Sequence, residues 1–214
     1  MTIHAAKVVV LGEGAVGKTS LVRRYVDRRF DKDYVATIGV NVKNKELPDI
    51  DIHMNIWDIY GQKSISPGKH SSNYIGAEGA VVVFDLTRKK TFSRLDDWIK
   101  DLFEVTGKIP VLLLGNKKDI IEDFEEVNDT IFTMASQKEF HDYMVENHYY
   151  RNVYSAEPEF TPVSFSESRE WASEKNPFNI KFPFLITSAK TGENVDKAFD
   201  GLAQKIVSNK IKYH

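Results

Sequence analysis

The stretch Gly12-Glu13-Gly14-Ala15-Val16-Gly17-Lys18-Thr19 restricts what this chain can become more than any other. It fits G-x-x-x-x-G-K-[ST] and stands between a β-branched run, Val8, Val9, Val10 and Leu11, and a helical pattern beginning near Ser20. In that context the glycines let the backbone curl around a phosphate chain, with successive N–H groups and the positive end of the following helix aimed at its oxygens. Lys18 would add a point charge at the β- and γ-phosphates, and the Thr19 hydroxyl would ligate Mg²⁺. Glycine turns between a strand and a helix are also common connectors, but between this strand and this helix the loop favours phosphate binding on its own.

With 214 residues, 42% hydrophobic and 28% charged, the chain is long enough for one good core and is expected to be one domain. A net charge of -2 gives no footing for nonspecific nucleic-acid binding. The absence of cysteine excludes disulfides, thiolate metal sites and a lipid anchor on Cys for the chain as given, and Thr2 excludes N-myristoylation. Apolar runs at 80–84 and 111–114 are strand-sized and far short of a membrane span. A cytoplasmic protein is the expectation, with peripheral membrane association only through a partner or a missing lipidated tail.

Leu21, Val22, Tyr25 and Val26 recur at helical spacing, so a first helix is expected to end near Phe30. Residues 31–37 are polar and irregular, 38–47 read as a strand closed by Pro48-Asp49, and 52–57 read as its neighbour across a short turn. Residues 58–73 predict a loop with a poorly formed helix at its end. The runs 80–86 and 109–114 are of the kind buried inside a parallel sheet, separated by a helical stripe of Phe92, Leu95, Trp98, Ile99, Leu102 and Phe103. Residues 182–187 predict a last strand, and Val195, Ala198, Phe199, Leu202 and Ile206 the inner face of a last helix. Strands and helices in alternation imply an α/β protein with a parallel sheet built from right-handed crossovers.

Between Asp119 and Phe182 the chain is longer than one crossover needs. Capping-box spacing at Ser164 and Glu167, with a stop at Asn176-Pro177, predicts a crossover helix over 165–175. Ahead of it lies an insertion, roughly 121–162, with Ile121, Phe124, Val127, Ile131 and Met134 on one helical face and a second short helix over 137–148.

Asn116-Lys117-Lys118-Asp119 begins where the 111–114 strand ends, on the edge where a doubly wound sheet binds ligands. A carboxylate is an acceptor-only fork, and guanine offers it N1–H and the 2-amino group side by side, whereas adenine offers neither. In isolation these four residues read better as a solvated polar strand end. Thr187-Ser188-Ala189-Lys190 closes the last strand, where backbone N–H groups could meet the base carbonyl. Asp58-Ile59-Tyr60-Gly61-Gln62 follows the 52–57 strand, and an Asp at a strand end facing the glycine loop is where Mg²⁺ would be held through water. Thr37 lies where a second hydroxyl ligand would have to originate; a surface-loop Thr is ordinarily inert, so it counts only in combination.

The combination resembles a Ras-superfamily small GTPase over nearly the whole length apart from the insertion. The resemblance implies a P-loop NTPase small G domain, a mostly parallel six-stranded sheet with helices on both faces. It also implies GTP and GDP as ligands, with Mg²⁺. Gly14, Ala15, Val16, Gly17, Lys18, Thr19, Ser20, Phe30, Tyr34, Thr37, Gly61, Asn116, Lys117, Asp119, Ser188, Ala189 and Lys190 would contact the nucleotide. Thr19, Thr37 and Asp58 would serve the metal. Gln62 would orient the attacking water, with Lys18 and Thr37 as the other catalytic groups, and Gly14 would have to stay small for a partner's arginine to enter. Switch I is expected at about 31–40 and switch II at about 58–75. Effectors, exchange factors and activating proteins would be partners of a slow monomeric GTPase.

The body is most similar to the Rab branch in Thr37-Ile38-Gly39-Val40, Trp57-Asp58, Tyr74-Ile75-Gly76-Ala77, Phe84-Asp85-Leu86-Thr87 and Trp98, while the insertion sits where the Rho branch carries a shorter one. Tyr60 replaces the usual Ala, and the stretch from Gln62 to Gly76 is one residue longer than the Rab pattern, with Pro67-Gly68 inside it. Both favour an alternative, a GTP-loaded, hydrolysis-poor scaffold. A P-loop ATPase or small-molecule kinase is opposed by Asn116 and Asp119. No resident arginine is expected at the γ-phosphate, since Arg28 and Arg29 lie on the first helix away from it.

Overall fold

The computed structural model describes residues 4–31, 37–61, 71–125 and 162–211. Its axis is strand β1, His4–Leu11, whose alternation feeds two cores at once. Val8 and Val10 enter one apolar cluster, Val9 and Leu11 another on the opposite face. Around it stand β2 (Val40–Leu47), β3 (Ile52–Ile59), β4 (Gly79–Asp85), β5 (Val111–Asn116) and β6 (Phe184–Ile186). The six-stranded sheet has the order β2-β3-β1-β4-β5-β6. Only β2 runs antiparallel to its neighbour β3; the other pairs are parallel. This is the mostly parallel α/β sheet expected from the sequence.

Helices cover both faces. On one, α1 (Lys18–Asp27) and α7 (Val195–Ile211) bury Leu21, Val22 and Tyr25 against Ala198, Phe199 and Leu202, with the Tyr25 and Phe199 rings stacked at 4.6 Å. The other face receives Tyr74 of α2 (Ser71–Tyr74) and Leu95, Trp98, Ile99 and Leu102 of α4 (Leu95–Thr106). The short α3 (Lys89–Phe92) precedes α4, α5 (Lys118–Glu125) follows β5, and α6 (Phe165–Glu170) leads towards β6.

Several boundaries differ from the expected ones, each for a local reason. Helix α1 stops at Asp27 because Arg28 turns left-handed at φ 58°, leaving Phe30 outside it. Strand β2 starts at Val40 rather than 38 because Gly39 at φ 76° breaks the extended run. Strand β3 continues past residue 57 to Ile59, which is buried and pairs with Val40. Strand β6 is shorter than 182–187, since the Phe182 N–H turns away to the Ala172 carbonyl at 2.9 Å.

The expected crossover helix over 165–175 is present, and Ser164 Oγ caps it by accepting from the Glu167 N–H at 3.1 Å. Its last stretch, Trp171–Lys175, widens into a π-turn. Asn176 closes it, its Nδ2 donating to the carbonyls of Trp171 and Ile180 at 3.1 and 2.8 Å. Helix α5 begins three residues before the expected insertion does; residues 126–161, including the helix anticipated over 137–148, lie outside the described residues. At the far end of β1, Glu78 clasps both His4 Nε2 at 2.9 Å and Lys210 Nζ at 2.6 Å.

Candidate functional site

At the C-terminal ends of β1, β3, β5 and β6 the chain turns four times into polar loops that face one another. The first is the glycine loop. Gly12 has φ 135°, and a Cβ there would sit 2.1 Å from the Val83 carbonyl oxygen; Gly17 has φ 96°, and its Cβ would meet Asn116 Nδ2 at 2.3 Å. Both therefore need glycine twice over, for backbone angle and for room. By contrast a Cβ at Gly14 would find nothing closer than 3.9 Å among the described residues, where its nearest neighbour is Gly61 O. Gly12→Ala is expected to destabilise the protein by about 2–3 kcal/mol from strain and overpacking. Gly14→Ala should stay within about 1 kcal/mol of wild type. Urea unfolding of the two variants checks the contrast.

Helix α1 begins without a side-chain cap and without an acidic residue in its first turn, so its leading N–H groups point into the loop. Lys18 is buried there, its Nζ donating to the Gly12 and Glu13 carbonyls at 2.8 Å each. Desolvation pulls its pKa down to about 8, partly offset by Asp58 and Glu13 and assisted by Arg88. Val16 packs into the core, while Ala15 is held left-handed at φ 60° and Ser20 is half-buried on the first turn of α1.

Beside Lys18, Thr19 Oγ1 donates to Asp58 Oδ2 at 2.5 Å and lies 2.7 Å from Thr37 Oγ1. Asp58 is 1% exposed, and its other oxygen, Oδ1, is buried with no hydrogen-bond donor among the described residues. Desolvation raises the Asp58 pKa against the opposing pull of Thr19 and Lys18. A buried carboxylate with one oxygen lacking a donor and the other bonded to the first of two adjoining hydroxyls fits a hard divalent cation such as Mg²⁺. Among the described residues no group of three His, Asp or Glu side chains could hold a metal, so further ligands would be water or phosphate oxygens. Gly61 is fixed by the same corner: a Cβ on it would lie 2.3 Å from Lys18 Nζ.

The third and fourth loops are tied together through Asn116, which is 1% exposed. Its Nδ2 donates to the Val16 carbonyl at 2.9 Å, and its Oδ1 accepts from the Ala189 N–H at 3.2 Å and Thr187 Oγ1 at 3.3 Å. Asn116 thus joins the glycine loop to the loop that closes β6. Asp119 Oδ1 accepts from Ser188 Oγ at 2.6 Å, and Lys190 Nζ stands 3.7 Å from Asp119 Oδ2. Lys117, left-handed at φ 70°, lays its Nζ 2.8 Å from Asp85 Oδ2. Phe30 is half-buried against the α1–α7 core, with the Arg24 guanidinium 5.9 Å from its ring centre. Tyr34 and Gln62, and with them much of 31–40 and 58–75, lie outside the described residues.

Several side-chain contacts that hold the site together have no signature in the sequence. Arg24 Nε donates to the Ala189 carbonyl at 2.8 Å and Arg24 Nη2 to that of Lys190, holding the last loop from α1. Glu13 Oε1 accepts from Trp98 Nε1 at 3.2 Å. Asp85, fully buried, anchors Lys117 and Arg88. Arg28 pairs with Asp196, away from the loop, but Arg88 lies directly on it: its Nη2 donates to the Gly14 carbonyl at 2.9 Å. Sequence reading did not single out Arg88, which is one basic residue of Arg88-Lys89-Lys90. The family model described as the Ras family matches the chain over residues 7–208.

Proposed function

The chain belongs to the Ras family of small GTPases, and from that premise we propose a guanine-nucleotide switch that binds GTP or GDP with Mg²⁺ and hydrolyses GTP slowly. The observation that carries it is the cluster of Thr19, Thr37 and Asp58, with its orphaned Oδ1, next to buried Lys18 at the mouth of a glycine loop. Lys18, Thr19 and Ser20 with the N–H groups of residues 14–17 would hold the phosphates. Asp119 would read the guanine edge, its carboxylate oriented by Ser188, while Ala189 and Lys190 border the base and Phe30 offers it a ring face. Thr19 and Thr37 would hold the metal directly, and Asp58 through water accepted at Oδ1. Bound Mg²⁺ would supply positive charge against the β- and γ-phosphates.

In hydrolysis water attacks the γ-phosphorus in line, the bond to the β–γ bridging oxygen breaks, and GDP and phosphate leave. Gln62 orients the water, and Lys18 faces the negative charge gathering on the leaving oxygens. Thr37 reports the γ-phosphate, so its loss releases residues 31–40 and 58–75 and changes what partners can dock. Residues 37–40, 57–58, 74–77 and 84–87 support a Rab-like body, and 121–162 a helical insertion in a single G domain.

Nucleotide extracted from freshly purified protein tests the reading: GDP supports a switch that has turned over, adenine nucleotide overturns it. Gln62→Leu should slow single-turnover γ-phosphate release by about tenfold or more. Thr19→Ala is expected to speed release of a fluorescent GDP about tenfold, ~1.4 kcal/mol, and to make release indifferent to EDTA. Wild-type release should accelerate sharply when EDTA is added.

A further inference from the structure

Arg88 is held more firmly than a surface arginine has reason to be. Its Nε donates to Asp85 Oδ2 at 2.8 Å and its Nη2 to the Gly14 carbonyl at 2.9 Å, so the two prongs of one planar guanidinium join a buried carboxylate to the outer residue of the glycine loop. The backbone beneath it is pinned as well. Its N–H donates to the Asp85 carbonyl at 3.0 Å, and its carbonyl accepts from the Thr91 N–H at 2.9 Å and Thr91 Oγ1 at 2.8 Å. Asp85 is fixed in turn: Oδ1 accepts from the Thr87 N–H and Oγ1 at 2.9 and 2.6 Å, and Lys117 Nζ shares Oδ2 with Arg88.

What this clamp grips is strained. Ala15 follows Gly14 at φ 60°, a left-handed conformation that a residue with a Cβ adopts only where its surroundings enforce it. In the direction of a Cβ on residue 14, the nearest atom among the described residues is Gly61 O at 3.9 Å. Drawing the Gly14 carbonyl outward fixes the plane of the 14–15 peptide, and so aims the Ala15 N–H inward, to the side where an anion nest needs it.

We infer that Arg88 is a positioning residue for the nucleotide's phosphates: anchored on Asp85, it holds the Gly14–Ala15 peptide in the orientation that binds them. This rests on the guanine-nucleotide reading given above. Because Lys117 occupies the same carboxylate, the base-side loop and the phosphate loop share one anchor, and movement of either loads the other through Asp85. A lysine at 88 keeps the charge but, with a single ammonium on a flexible stem, cannot span both acceptors in this fork geometry.

The test is release of fluorescent GDP from the full chain, with thermal unfolding as the control for stability. Asp85 retains Lys117 and Thr87 when Arg88 is removed, so R88A should fold. R88A and R88K are both expected to release GDP about tenfold or more faster than wild type, R88K with the smaller loss of Tm. Wild-type release rates in R88A overturn the inference, and so does full restoration in R88K, which would reduce Arg88 to a point charge. Failure of the unmutated chain to retain guanine nucleotide sinks the switch reading and this inference with it. Normal retention with an indifferent R88A sinks this inference alone.

Discussion

Lys18→Ala is expected to weaken GDP and GTP binding at least a hundredfold, ~3 kcal/mol, as measured by nucleotide titration. The lysine is buried at the mouth of the loop with its ammonium already lined up on two loop carbonyls, so it brings charge to the phosphates at little cost in ordering. The same residue is a burden on the fold without nucleotide. Desolvation has lowered its pKa from 10.5 to about 8, which means that folding works against its charge. A base whose folded pKa lies below its unfolded one imposes its full penalty below the folded value, and the penalty is relieved as pH rises towards the unfolded one. Nucleotide-free wild type should therefore gain stability relative to Lys18→Ala between pH 8 and 10.5, read by urea unfolding across that window. Such a group is costly to the empty protein and serves the occupied one.

Asp85→Ala should be the most destabilising single change at the site, by about 3–5 kcal/mol, because it strands two buried or half-buried cations on one side of the sheet. Desolvation acts to raise the Asp85 pKa, but Lys117 and Arg88, with hydrogen bonds from Lys117 and Thr87, overcome it and hold the carboxyl at about 2. The sign follows from a folded value below the unfolded one: the stabilisation is fully present above about 3.8 and is lost as pH falls through about 2. Acid titration of unfolding free energy should bring wild type and Asp85→Ala together over that interval. Asp85→Asn, which keeps the shape and loses the charge, should fall between them.

The two predictions concern residues of very different legibility. Lys18 is announced by its own neighbours, because a loop that must turn left-handed at Gly12 and Gly17 can be written in few ways. The strands were equally legible, since Val8 to Val10 and Leu112 to Leu114 feed opposite cores in alternation and cannot be surface. Asp85 carries no such local requirement. Its meaning comes from Lys117 and from a loop 74 residues away from Arg88 in the chain. The Arg24 contact with Ala189 spans 165 residues, and that between Asn116 and Val16 spans 100. Periodicity reads neighbours within one element; it is blind to a side chain that crosses from one strand end to another. Boundaries failed on the same principle. The turn at Arg28 and the redirected N–H of Phe182 are set by what the chain meets beyond the segment, and the propensities inside the segment do not record it.

The grip of Glu78 on His4 and Lys210 brings the first and last described turns of the chain side by side, at the opposite end of β1 from the glycine loop. An eight-residue strand at ~3.3 Å per residue puts roughly 26 Å between them. Residues 4 and 210 can therefore be tethered to one another without drawing on any strand end that carries a site residue. A reporter attached beside Glu78 would sit at the end of the sheet opposite the polar loops and leave them unburdened.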